Sequence, residues 1–258
     1  ITQRISLSDA LSKDILAQGE LMSTKLFALY LEQEKIEHAL IPALDFMCLD
    51  INDEPDLTLI AQKIKVVLAQ HPTKKLFITQ GYICKNIRGE VDNLKRGGSD
   101  YTASLVAAAC NATVCEIWTD IDGMHNNDPR YVENTFSLEE ISFDEAAELA
   151  YFGAKILHPQ SLIPAKNNNI PVLLKNTFDP YKKGTLIKNN TKTSGVSSIA
   201  AKDKITAIKI KSYRMLLAYG FLKRVFEVFE VYKTPIDMIT TSEVAVSLTI
   251  DNNQFIKE

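Results

Sequence analysis

Strand-like and helix-like segments alternate over residues 56–175, and this order constrains the fold more than any other feature of the chain. A chain built this way buries its strands as a largely parallel sheet and lays its helices over the faces, which makes it an α/β protein. Asp56 is placed to cap a helical pattern carried by Leu57, Ile60, Ile64, Val67 and Leu68, and His71-Pro72 ends it. Leu76-Phe77-Ile78-Thr79 then reads as a buried strand stopped by Gln80-Gly81. After the glycine-bearing segment Arg96-Gly97-Gly98-Ser99-Asp100, residues 102–111 are Ala-rich and helical, and residues 113–118 are strand-like. Ser142 with Glu145 forms a capping box ahead of a helical pattern over 143–157, closed by Pro159. A short helix around 160–166 leads into a strand over 171–175.

Over residues 182–198, Lys, Asn, Thr, Ser and Gly displace the apolar periodicity, so this stretch reads as a linker between a first domain, 1–195, and a second, 196–258. The second holds an alternating strand (Ala207, Ile208, Ile210), an amphipathic helix (Phe221, Leu222, Val225, Phe226, Val228, Phe229) and another alternating strand (Val244, Val246, Leu248, Ile250). A βαβ unit of this size is too small to be stable by itself and is expected to continue in a parent chain or to pair with a second copy.

Composition narrows the function classes. Lys plus Arg number 29 against 32 Asp plus Glu, a formal net charge of -3, so no global positive field exists for nucleic acid or acidic lipid. The longest apolar stretches fall short of the about 20 residues that span a bilayer. Four cysteines without a CxxC pair read as reduced and mostly buried thiols of a cytoplasmic protein, and four dispersed histidines give no zinc spacing. The chain opens at Ile1 with neither Met nor a signal-peptide pattern, and is expected to be a fragment whose true start lies upstream.

Five segments carry candidate chemistry, and each has a bland alternative. In Arg96-Gly97-Gly98-Ser99-Asp100 the glycines admit close backbone approach, the following helix start attracts an anion, and Arg96 adds a fork for carboxylate or phosphate. The same segment also fits a simple turn with an Asp cap. Thr119-Asp120-Ile121-Asp122-Gly123 and Asp128-Pro129-Arg130 follow a strand, where open α/β sheets bind nucleotides or metals; Asp-Gly and Asp-Pro are equally ordinary turn formers. Lys155 in Gly153-Ala154-Lys155-Ile156-Leu157-His158-Pro159 could reach phosphates or merely complement a helix dipole. Glu20, read near the start of a helical run to Leu31, could hold a substrate ammonium or serve as a first-turn acid. Together these residues offer both signs of charge at the turns of one domain, which suits a zwitterionic substrate beside a polyphosphate, and no Ser/His/Asp set competes.

These stretches, with Gly19-Glu20-Leu21-Met22-Ser23, Thr79-Gln80-Gly81-Tyr82 and Asn176-Thr177-Phe178, stand in the order and spacing of the aspartate kinases, and the chain resembles that group of the amino-acid kinase superfamily over nearly its whole length. The resemblance implies an amino-acid kinase fold, here incomplete, followed by a partial ferredoxin-like ACT domain. It implies phosphorylation of the L-aspartate side-chain carboxylate by ATP with Mg2+, giving 4-phospho-L-aspartate and ADP, the first step toward lysine, threonine and methionine. By the same resemblance Glu20 would bind the substrate ammonium and Arg96 a substrate carboxylate, while Ser99 and Asp100 organise the reacting end. Thr119, Asp120, His125, Arg130 and Lys155 would line the ATP site.

In the tail, Met215, Gly220, Phe221, Leu222, Asp237, Thr241 and Ser242 would by this resemblance approach an amino-acid effector, lysine or threonine, between ACT units of a homodimer or higher assembly. The apolar stripe among them reads equally as core. The chain departs from the family pattern in three ways. The N-terminal Lys-Phe-Gly-Gly-Thr-Ser segment with its phosphate-contacting lysine is absent, so residues 1–258 by themselves are expected to be inactive. His125 replaces a usual Tyr on the adenine side, and Ala218 a Ser frequent in lysine-sensitive members. Two rivals stand beside the kinase reading: another carboxylate or carbamate kinase of the superfamily, and a non-catalytic amino-acid-sensing subunit with a truncated kinase domain.

Overall fold

A computed structural model describes residues 8–95, 97–152, 157–191, 195–212 and 219–251. The chain divides into two compact units, Ile1–Ala200 and Ala201–Glu258.

The first unit opens with a long helix, α1 (Asp9–Gln33), capped by Ser8, whose Oγ accepts from the Leu11 N–H at 3.2 Å. It continues through β1 (Ala39–Leu40), α2 (Ala43–Phe46), α3 (Leu57–Ala69), β2 (Phe77–Ile78), β3 (Ile83–Lys85) and β4 (Val91–Asn93). Asp56 caps α3 as its sequence position indicates, accepting from the Leu59 N–H at 2.9 Å. Strands β1 and β2 pair in parallel, and β3 with β4 forms an antiparallel ribbon.

Then come α4 (Gly98–Cys110), β5 (Cys115–Thr119), β6 (Glu140–Ser142), α5 (Phe143–Phe152), a 3-10 turn (Pro159–Leu162), α6 (Ile163–Asn167), β7 (Val172–Asn176) and β8 (Thr185–Lys188). Four of these strands form one sheet in the order β5-β7-β8-β6, parallel except for the antiparallel β7–β8 step. Alternation does the sorting: Cys115 and Ile117 of β5, Val172 and Leu174 of β7, and Ile187 of β8 point into a core shared with Phe143, Ala146 and Leu149 of α5. Helix α4 lies between two cores, giving Ala107 and Ala108 to this one and Leu105 and Ala109 to a second, built around Phe46, Met47, Ile60 and Ile83. Its run of alanines is what lets a helix pack closely on both sides. The capping box is present in both directions: the Glu145 N–H donates to Ser142 Oγ at 3.1 Å, and the Ser142 N–H donates to Glu145 Oε2 at 3.0 Å.

Strand β8 lies inside residues 182–198, so that stretch is not a linker throughout. Thr185 and Ile187 are fully buried, and their strand bridges β7 to β6. Cys48, Cys84 and Cys115 are buried and Cys110 is exposed, all as free thiols. Burial pushes Cys84 up to about 12 and Cys115 up to about 11, which makes both inert.

The second unit contains β9 (Thr206–Lys211), α7 (Phe221–Val231), β10 (Met238–Thr241) and β11 (Ala245–Ile250). Its sheet has β11 in the middle, antiparallel to both β10 and β9. The expected βαβ unit is thus a βαββ arrangement with its two outer strands split by a third, as in ferredoxin-like folds. Strand β10 escaped the sequence pattern because all four of its residues are exposed.

Candidate active site

The carboxyl ends of β5 and β7 lie side by side, with Thr119 opposite Asn176 in the parallel register and the Thr177 N–H donating to the Thr119 carbonyl at 2.8 Å. A cavity of about 620 Å3 opens there, where ligands of α/β sheets bind. Its polar wall comes from the loop after β5, and Leu149, Ile199 and Ala200 supply apolar wall.

The loop after β5 owes its path to Gly123 and Thr185. Gly123 has φ +128°, and a Cβ there would sit 2.4 Å from Thr185 Oγ1. That buried hydroxyl accepts from the Met124 N–H at 2.9 Å and donates to the Leu138 carbonyl at 2.6 Å, stitching the loop onto β8. The loop is thereby held at fixed height above the sheet, with Asp120, Asp122 and His125 on the cavity.

Each charged group of the cavity has a defined partner. Asp120 Oδ1 accepts from the Thr119 hydroxyl at 3.0 Å, and no described cation pairs with this carboxylate. Asp122 accepts from His125 Nε2 at 2.7 Å and from Lys182 Nζ at 3.0 Å, and these donors, the histidine first, hold its carboxyl down at about 2. Because an ionised carboxylate only accepts, Nε2 carries the proton, and in the neutral ring Nδ1 accepts from the Thr135 hydroxyl at 2.9 Å. Arg130 turns back on Asp128: its Nε donates to both carboxylate oxygens at 3.0 Å, and its backbone N–H donates to Oδ1 at 2.9 Å. This clasp lowers the Asp128 carboxyl.

A second group of residues gathers at the start of α4. Gly81 lies so close that an added Cβ would sit 2.9 Å from Ser99 Oγ, and Thr102 ties the first turn down by donating to the Gly98 carbonyl at 2.8 Å and accepting from the Tyr82 N–H at 3.0 Å. Ser99 is exposed; Asp100 is half-buried, and burial raises its carboxyl despite the helix start beside it. Glu20 lies in the middle of α1, not near its start, because the helix begins eleven residues earlier at Asp9. Buried Gln80 connects this turn to the same region. Its Nε2 donates to Thr24 Oγ1 at 2.9 Å, Thr24 donates to the Glu20 carbonyl at 2.7 Å, and Gln80 Oε1 accepts from the Ala43 N–H at 2.8 Å. The segment Thr79-Gln80-Gly81 thus fixes the backbone beneath Glu20 and beneath Ser99 together.

Thr119, Asp120, His125 and Arg130 therefore share one cavity, while Glu20, Ser99 and Asp100 do not line it. Arg96, Lys155 and Met215, with Ala218, lie outside the described residues. In the second unit, Gly220 caps α7, followed by Phe221 and Leu222 in its first turn. Register places Thr241 opposite Val246, at the end of the sheet where β9 finishes, whereas Asp237 sits beyond the other end of β10, its N–H donating to the Thr249 carbonyl at 2.8 Å. Ser242 closes the β10–β11 turn through its N–H and the Ala245 carbonyl at 2.8 Å.

Sequence reading missed Lys182, Thr135, Ile199 and Ala200. Lys182 fell in the supposed linker, and the one local sign of order there, the β-branched Thr185 and Ile187 after Gly184, is shorter than a periodicity window. Ile199 is brought in by its N–H, which donates to the Asn126 carbonyl at 2.9 Å.

A model of the amino acid kinase family matches residues 2–176. The chain belongs to the amino acid kinase family. Within that family it is similar to the lysine-sensitive aspartokinase 3 of Escherichia coli, 39% identical over 253 residues that cover 96% of this chain and 56% of that protein. Aspartokinase 3, chloroplastic, of Arabidopsis thaliana is 38% identical over 256 residues, covering 95% of this chain and 45% of that protein. The crystal structure of Escherichia coli aspartokinase III in complex with aspartate and ADP matches with a TM-score of 0.84 at 38% identity, covering 96% of this chain and 57% of that one. The chain spans about half the length of the relatives it matches. No described helix of this member of the amino acid kinase family is long and apolar enough to cross a membrane.

Proposed function

We propose that this chain carries the kinase domain, and the first part of the regulatory domain, of a cytoplasmic aspartate kinase. A side-chain carboxylate oxygen of L-aspartate attacks the γ-phosphorus of ATP, a new O–P bond forms, the bond to the β,γ-bridging oxygen breaks, and its electron pair leaves with ADP. The nucleophile is already ionised, so the protein's work is to align and neutralise charge, not to remove a proton. The observation that carries this reading is the gathering of Thr119, Asp120, His125 and Arg130 on one cavity at the carboxyl ends of β5 and β7, in a chain matching an aspartokinase solved with aspartate and ADP. In this reading Thr119, Asp120, His125, Arg130 and Lys155 bind the nucleotide, Glu20 and Arg96 hold the amino-acid substrate, and Ser99 with Asp100 arrange the reacting end.

Mg2+ fits the same cavity. It is commonly held by one or two carboxylates plus phosphate oxygens, and Asp120 is the lining carboxylate that no described cation neutralises. When bound it supplies positive charge to the transferring phosphoryl group. Among the described residues no group of three or more His, Cys, Asp or Glu could hold a metal ion.

Residues from about 196 onward form, in this reading, an incomplete ACT unit that takes an amino-acid effector within a homodimer or larger assembly. Lysine is favoured over threonine because the similar Escherichia coli enzyme is named lysine-sensitive and a structure of it contains lysine. The test is ADP release from MgATP with and without L-aspartate. Aspartate-dependent turnover is expected from a parent chain bearing the upstream lysine segment, and a loss on the order of 100-fold on replacing Arg96 by Ala. ADP release indifferent to L-aspartate would overturn the assignment.

A further inference from the structure

We propose that Lys182 is a phosphate-binding residue of the nucleotide cavity, stored on Asp122 and transferred to the polyphosphate when the nucleotide enters. This rests on the nucleotide reading of the cavity given above. Among the described residues three aspartates line the cavity beside two cations, Arg130 and Lys182, so these two are the described groups that could meet a polyphosphate with positive charge.

The two cations are held very differently. Arg130 and Asp128 are two residues apart and joined through both carboxylate oxygens and a backbone N–H. Pulling that guanidinium away strips Asp128 of most of its donors. Lys182 reaches Asp122 from sixty residues away through one contact of 3.0 Å, with Asp179 Oδ2 a further 4.0 Å from its ammonium. The other Asp122 oxygen already receives His125 Nε2 at 2.7 Å, and that ring is anchored by Thr135 at 2.9 Å. When Lys182 leaves, Asp122 keeps its imidazole donor, so the cost of lending the lysine is small. While it rests on Asp122 the ammonium is held charged, because that carboxylate raises its proton affinity.

The side chain is also free to move. Lys182 is half exposed on a flexible four-carbon stem, and its neighbour Lys183 is directed elsewhere, to Glu139 Oε1 at 3.0 Å. His125 thus acquires a role as a positioning residue that keeps Asp122 satisfied while Lys182 is away.

The test is calorimetric titration of adenosine and ADP into the wild type, Lys182→Met, Lys182→Arg and His125→Phe. Methionine keeps most of the stem and removes the charge. Lys182→Met is expected to weaken ADP about tenfold, the worth of one charge-assisted hydrogen bond, and to leave adenosine unchanged. Lys182→Arg should restore most of the ADP affinity, and His125→Phe should lower the ratio of ADP to adenosine affinity, because Asp122 then depends on Lys182 alone. Unchanged ADP affinity in Lys182→Met, or an equal loss for adenosine and ADP, overturns the proposal while leaving the cavity a nucleotide site. A wild type that binds neither ligand overturns the nucleotide reading and this proposal with it.

Discussion

The two units of the molecule solve the same problem to different degrees. In the first, a four-stranded sheet points Ile117, Val172, Leu174 and Ile187 into a core roofed by α4, α5 and α6, and every one of those side chains is under 7% exposed. In the second, Val246, Leu248 and Ile250 of β11 are buried, yet α7 has no fully buried residue and β10 is exposed along its length. The lesson is about where a site can be built. A closed core holds the loop after β5 at fixed height and so defines a cavity; an open half-layer leaves Thr241 and Ser242 on a surface.

A buried position of the first unit set against an exposed position on α7 of the second gives the largest contrast. Leu174→Ala in the first should cost about 2–5 kcal/mol, and Val231→Ser on α7, at a position 76% exposed, within about 0.5 kcal/mol, both read from denaturant unfolding. Comparable losses would mean that the second unit is closed after all.

Next in size is Gly123→Ala, which combines a strained φ with a collision against Thr185. It should cost about 1–3 kcal/mol and weaken nucleotide binding in parallel, followed by thermal unfolding and ADP titration. Normal ADP affinity in a destabilised variant would show that the loop after β5 does not set the cavity.

Asp122 sharpens the comparison through pH. Its carboxyl is held at about 2 in the folded chain, below the value near 4 of an unfolded aspartate. A depressed folded value means stability that is fully present above pH ~4 and lost as pH falls through about 2. Asp122→Asn should therefore lower stability by about 1 kcal/mol at neutral pH and flatten the acid limb of unfolding between those values. The smallest effect belongs to the second unit, where Lys202 donates to Asp251 at 2.7 Å on the surface; Asp251→Asn should cost about 0.5 kcal/mol, and less at high salt.

Local chemistry was legible in advance. The Asp56 cap, the Ser142–Glu145 box, the alanine-rich α4 and strand β5 all follow from residues within a few positions of one another. Other features depend on distant partners. Strand β8 is four residues long and flanked by lysines, and only its pairing with β7 and β6 makes it a strand. The true start of α1 was hidden because Ile15, Leu16, Leu26 and Phe27 are exposed apolar residues that blur its helical period. Within the cavity, Thr119, Asp120 and Arg130 stand out in the sequence because they lie on one loop system after one strand, whereas His125 enters only through the family resemblance. Lys182 does not stand out, because sixty residues and a strand turn separate it from Asp122.

The most direct measurement is to incubate the parent protein with MgATP, L-aspartate and hydroxylamine, which converts an acyl phosphate to a stable hydroxamate. Phosphorylation of the side-chain carboxylate predicts aspartate hydroxamate in amounts matching the ADP released, with none when either substrate is omitted. ATP consumed without hydroxamate would contradict the account, because the phosphoryl group would then have gone to an acceptor other than the aspartate carboxylate.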